Sequence, residues 1–191
     1  MNNAVILIPS RLAATRLPKK PLLKINNISI INHVYKIANS SIVGQSYVAT
    51  GDKEIFDEVT KYGGKCILTQ SDHKTGTDRI FEAFQKLEND NIEYVINLQG
   101  DEPMLDIQDV NNLLEKTIEK KSKVSTLACE IESEVILSKK NIVKVITKNK
   151  ISDNSISEAL NFHRVIKEDR YDNIYQHFCL LYTSDAADEE D

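Results

Sequence analysis

Three short segments of the 191-residue chain gather the residue types that phosphate and nucleotide chemistry requires. The first, Ile8 to Leu22, reads IPSRLAATRLPKKPL and sets Arg11, Arg16, Lys19 and Lys20 within one loop. Four cations so close suit a phosphate clamp, in which each charge-assisted hydrogen bond contributes about 1.5–3 kcal/mol. A solvated basic loop is the plainer reading of that segment taken alone. The chain contains neither G-x-x-x-x-G-K-[ST] nor G-x-G-x-x-G, so a nucleotide would be held in some other way. The second segment is NLQGDEP, Asn97 to Pro103, where Gly100 permits a sharp turn and Asp101 and Glu102 project over the sheet edge. Carboxylates facing bound phosphates commonly hold Mg2+. The third is SDHKTGTDR, Ser71 to Arg79, where Gly76 and Thr77 open a helix whose N–H groups suit an anion or a base. A simple N-cap by Thr75 or Thr77 accounts for it equally well.

Each segment follows an apolar run of strand character, and open α/β sheets bind ligands at the carboxyl ends of their strands. Val5 to Ile8, Tyr47 to Thr50, Cys66 to Leu68, Tyr94 to Leu98 and Val124 to Ile131 read as strands. Between them, Ile30 to Ala38, Ile55 to Tyr62, Ile80 to Leu87 and Val110 to Ile118 repeat apolar residues at helical spacing. This alternation predicts a Rossmann-like α/β fold with a mostly parallel sheet and helices on both faces. Further on, Ile142 to Ile146 alternates like an edge strand. Ala159 to Phe162 is expected to pair with it across a turn near Ser152 to Asn154. Length predicts a single domain over residues 1–178.

Composition excludes several classes. Hydrophobic residues at 41% and charged residues at 28% fit a globular chain rather than a disordered or fibrous one. No apolar run is long enough to span a bilayer, and no secretory leader is evident, so a cytoplasmic location is the default expectation. The formal net charge is -5, but Asp185, Asp188, Glu189, Glu190 and Asp191 supply the whole acidic excess. The balanced remainder argues against nucleic acid as a partner, which needs a basic face. Cys66, Cys129 and Cys179 are widely spaced and odd in number, which suggests reduced thiols, two of them in the core, rather than a disulfide framework.

Taken together and in this order, the three segments resemble the 3-deoxy-manno-octulosonate (Kdo) cytidylyltransferases, also called CMP-Kdo synthetases, over residues 4 to about 131. The resemblance implies a nucleotidyltransferase that moves a cytidylyl group from CTP to Kdo. It would release pyrophosphate and make CMP-Kdo for lipopolysaccharide biosynthesis. It further implies that Arg11, Arg16 and Lys20 grip the triphosphate and that Ser10, Thr75, Gly76, Arg79 and Gln99 belong to the nucleotide site. Asp101 would ligate Mg2+. Ala159 to Arg164 resembles the family strand ending in Phe-Ser-Arg, which makes Arg164 the partner of the Kdo carboxylate. Tyr175-Gln176-His177 resembles the segment carrying a sugar-contacting His177.

Two departures stand inside the motifs. Lys19 replaces a usual Gly and is expected to add a cation near the phosphates, while Thr75 replaces a usual Ser and keeps its hydroxyl. From about Cys179 the chain departs from the family pattern, which continues to a Gly-x-Asp turn carrying a second metal carboxylate. Residues 179–191 are therefore expected to be a non-native acidic tail, and turnover to be impaired. The resemblance implies a homodimer, whose formation by this chain is doubtful. Another cytidylyltransferase, such as CMP-sialate synthetase, and a non-catalytic nucleotide-binding module are the alternatives.

Overall fold

A computed structural model describes residues 3–13, 17–133, 135–152, 155–166 and 172–183, with residues 179–183 described by backbone alone. The chain divides into two compact units, residues 1–125 with 180–191, and Thr126–Cys179.

The first unit is built on β1 (Ala4–Ser10), whose seven residues are all buried. A strand buried throughout must be covered on both faces, which is why Val5 to Ile8 is a continuous apolar run rather than an alternating one. Beyond β1 come a short 3-10 helix (Lys20–Leu22), the two-residue strands β2 (Lys24–Ile25) and β3 (Ile28–Ser29), and helix α1 (Ile30–Asn39). Then follow β4 (Gly44–Thr50), α2 (Lys53–Lys61), β5 (Cys66–Leu68), α3 (Gly76–Gln85), β6 (Tyr94–Asn97) and α4 (Ile107–Lys120). The strands lie in the order β5-β4-β1-β6, and β1 pairs parallel with both β4 and β6. Leu180–Thr183 closes this sheet by pairing antiparallel with β6.

Side chains alternate across a strand, so Val5 and Leu7 take one face and Ile6 and Ile8 the other. Val5 and Leu7 pack with Ile80 and Ala83 of α3, Ala49, Ile92 and Val95. On the opposite face the side chains of Ile8 and of Ile31 on α1 both lie close to Gly100. The parallel sheet is thus sandwiched between helices, as the alternating pattern predicts. Gly63, with φ of 77°, ends α2 in the left-handed conformation that glycine adopts at little cost. The loop expected to be irregular from Arg11 onward instead tightens at Lys20–Leu22, where Pro21 sits in the first turn, a position that tolerates proline.

The second unit is antiparallel. Strand β7 (Val124–Cys129) enters it, followed by α5 (Val135–Ser138), β8 (Lys144–Thr147), β9 (Ala159–His163) and β10 (Ile174–Thr183), which leaves it after Cys179. β9 pairs with β8 as expected, with Lys144 opposite His163, and Gln176 lies opposite Lys144 on the other side. Lys144 is fully buried. Its ammonium donates to the carbonyls of Lys139 at 2.9 Å and Ile142 at 2.8 Å, and to that of Arg164. Three acceptors replace the water it loses, which is how a buried charge is tolerated. Burial, and then the Arg164 charge, lower its pKa. The expectation of two core cysteines is corrected: Cys66 is half-buried and Cys129 is exposed.

Candidate functional site

Parallel strands point their carboxyl ends to one edge, so the loops after β1, β5 and β6 share it. There they enclose a crevice of about 320 Å³. The loop after β1 contributes Ser10 and Arg11, with Lys20 beyond it; the loop after β5 contributes His73, Lys74, Thr75 and Gly76, with Arg79 on α3. The loop after β6 contributes Gln99, Gly100 and Asp101. Every residue expected at the nucleotide site lines this crevice except Arg16, which lies outside the described residues.

The loops are held by specific polar contacts. Lys20 Nζ lies 2.7 Å from Asp101 Oδ2, linking the first loop to the third across the crevice. The Leu12 N–H donates to Asp52 Oδ2 at 2.9 Å and anchors the basic loop from below. Arg11 lines the crevice beside Ser10. Ser10 is buried, and its Oγ has no hydrogen-bond partner among the described residues. A buried hydroxyl facing a cavity without a partner is what a ligand would satisfy. Lys19 does not join the phosphate cluster expected of it. Its backbone is left-handed, with φ of 55°, and its Nζ is 2.7 Å from Glu54 Oε2 on α2. The left-handed geometry also explains why glycine suits that position.

Gly100 is required for close approach rather than for a positive φ. A Cβ there would stand 2.8 Å from the Pro9 carbonyl oxygen, which is backbone and cannot swing aside. Glu102, beside Asp101, is pushed up in pKa by burial and then by the Asp101 charge, against the opposing pull of Lys20.

The second loop combines both readings of its sequence. Thr75 is the N-cap of α3: its Oγ1 accepts from the Asp78 N–H at 3.1 Å, and Asp78 Oδ2 accepts from the Thr75 N–H at 3.0 Å. Arg79 is almost wholly buried, and its Nη1 donates to Thr69 Oγ1 and, at 2.9 Å, to the Gln70 carbonyl. Burial lowers its pKa. Arg79 therefore shapes the crevice wall with the same group that lines it. One turn later, Glu82 accepts from the Gln70 N–H at 2.9 Å, from Lys86 at 2.6 Å and from His73 Nε2. Burial pushes the Glu82 carboxyl up, yet these partners outweigh it and hold the pKa down to about 2. Sequence reasoning missed His73 and Glu82. The signal available was the charged trio Asp78, Arg79 and Glu82 on a helix whose Ile80, Phe81, Ala83 and Phe84 are apolar.

Arg164 and His177 belong to the second unit. The exposed Arg164 guanidinium donates to the Lys140 carbonyl at 3.2 Å, while its own carbonyl accepts from Lys144. The His177 ring meets Phe162 edge-on at 5.4 Å, and burial lowers its pKa. Among the described residues no group of three or more His, Cys, Asp or Glu is placed to hold a metal ion, and no helix is long and apolar enough to cross a membrane.

Comparison with known proteins adds independent support for the fold. The cytidylyltransferase family profile matches residues 5–184. A 3-deoxy-manno-octulosonate cytidylyltransferase of Rhodopseudomonas palustris (strain BisB18) is 43% identical over 143 residues, which are 74% of this chain and 58% of that protein. One from Rickettsia typhi is 39% identical over 145 residues, 75% of this chain and 60% of that protein. The chain thus spans less than two thirds of the length of these curated relatives. A solved structure of CMP:2-keto-3-deoxy-manno-octonic acid synthetase complexed with CTP superposes with a TM-score of 0.85 at 36% identity, covering 98% of this chain and 76% of that one.

Proposed function

Since this chain belongs to the cytidylyltransferase family, we propose that it transfers a cytidylyl group from CTP to Kdo, giving CMP-Kdo and pyrophosphate. The observation that carries this reading is the convergence of Arg11, Lys20, Asp101 and the buried Ser10 hydroxyl on one crevice with the loop that opens α3. The names of the relatives and the CTP in the solved neighbour support it.

In this mechanism the anomeric hydroxyl of the sugar attacks the α-phosphorus in line, and pyrophosphate leaves. Arg11, Arg16 and Lys20 bind the triphosphate oxygens and offset their charge where it develops, which is the main catalytic contribution in phosphoryl chemistry. Thr75, Gly76, Arg79 and Gln99 enclose the nucleoside, with the Ser10 hydroxyl donating to it. No covalent nucleophile is needed. Asp101 fits a divalent cation: it is half-exposed at the crevice, and Lys20 engages only its Oδ2. Mg2+ is typically held by one or two carboxylates, with phosphate oxygens and water completing its shell. Bound there, it would neutralise charge on the phosphate oxygens. In the second unit, Arg164 would pair with the sugar carboxylate and His177 would contact the sugar. A homodimer in the cytoplasm is the corresponding assembly and location.

The test is pyrophosphate release from CTP and Mg2+ with Kdo, N-acetylneuraminate and a sugar phosphate supplied in parallel. Release with Kdo alone is expected. CTP binding indifferent both to Mg2+ and to Asp101→Asn would instead identify a non-catalytic nucleotide-binding module.

A further inference from the structure

The His73–Glu82 pair lies at the crevice but has no part in the mechanism above. His73 lines the crevice, and its side chain is only 17% exposed. Its Nε2 is bonded to a Glu82 carboxylate that also holds the Gln70 N–H and Lys86. An ionised carboxylate only accepts hydrogen bonds, so Nε2 must carry the proton. In the neutral ring Nδ1 is then a bare acceptor, and among the described residues it has no protein partner. A bare acceptor repels phosphate oxygens, which are acceptors too. It matches a donor, and the donor that distinguishes cytosine from uracil is the exocyclic amino group, where uracil carries a carbonyl. The cations Arg11 and Lys20 come from another part of the chain, while this loop sets His73 beside Lys74 in the crevice lining.

We propose that His73, oriented through Nε2 by Glu82, is a specificity-determining residue that accepts a hydrogen bond at Nδ1 from the amino group of a cytosine base. The proposal rests on the function proposed above and deepens it. Glu82 is a positioning residue that acts through His73 and does not touch the ligand.

Two measurements on the whole chain test it at pH 8.5. Nitrogen-15 NMR of the ligand-free protein reads the His73 tautomer, and protonation at Nε2 is expected; protonation at Nδ1 overturns the proposal. Calorimetric titration compares CTP, UTP and pyrophosphate. His73→Phe is expected to reduce the CTP-over-UTP preference about fivefold while leaving pyrophosphate affinity unchanged. A preference unaltered by the substitution overturns the assignment and leaves the proposed function standing. A native chain that binds neither CTP nor UTP overturns both. Should His73→Phe fail to fold, Glu82→Gln serves in its place: it is expected to abolish the fixed tautomer and narrow the same preference, and an unchanged preference with a lost tautomer overturns the proposal.

Discussion

The two units show how strand direction governs the assembly of a site. In the first, the loops after β1, β5 and β6 bring residues as distant in sequence as Lys20 and Asp101 within 2.7 Å, because parallel strands place all their carboxyl ends on one edge. In the second, β8 pairs antiparallel with both β9 and β10. Successive strand ends there fall on opposite edges, and the buried Lys144 ammonium ties the carbonyls of Lys139, Ile142 and Arg164 together. Candidate residues in a parallel sheet can be expected to meet; in an antiparallel unit they require individual placement.

Breaking the second unit has the largest expected effect. Lys144→Met leaves the carbonyls of Lys139, Ile142 and Arg164 without their donor, and the loss is expected to reach about 3 kcal/mol, read from urea unfolding at pH 7. A loss below about 1 kcal/mol would mean that the ammonium is not what holds this unit together.

The crevice is tested next by Arg11. Arg11→Ala should weaken CTP binding about thirtyfold, as expected for loss of a charge-assisted phosphate contact, whereas Lys19→Ala should change it less than about twofold because its partner is Glu54 on the surface. Equal effects of the two would restore Lys19 to the phosphate cluster and undo the distinction between them. Gly100→Ala is expected to destabilise by about 1–2 kcal/mol through overpacking against Pro9, visible as a lowered melting temperature together with weaker CTP binding.

The smallest effect separates the units by pH. Glu82 has its pKa lowered from 4.5 to about 2 in the folded chain, so its stabilising contribution is complete above about 4.5 and lost as pH falls toward 2. Glu82→Gln should flatten that part of the acid limb in a stability-against-pH series. Lys144, whose pKa is also lowered, gives a dependence of the same sign, but in the window just below its ordinary value of 10.5 rather than on the acid limb. An unchanged acid limb in the variant would show that Glu82 is not its source.

Much of the first unit was legible from local patterning. Val5 to Ile8, the helical stripe from Ile30 to Ala38 and the Gly63 stop each report a strand or helix through nearest-neighbour physics, and each is found where expected. The three motifs were visible because Arg11, Gly76 and Asp101 sit in short runs of unusual composition at strand ends. The β2–β3 ladder and α5 were not legible, since elements of two to four residues carry no measurable period.

What the sequence by itself determined is the order of elements, the parallel character of the first sheet and the residues available to its edge, because these follow from hydrophobic period and residue type. What only the tertiary structure decided is which atoms meet. Lys19 and Lys20 are adjacent and chemically alike, yet one faces Glu54 and the other Asp101. Arg79 is split between wall and crevice, and Glu82 orients His73 from behind. Those outcomes depend on backbone direction at single residues and on the packing of distant segments, neither of which leaves a mark in local sequence.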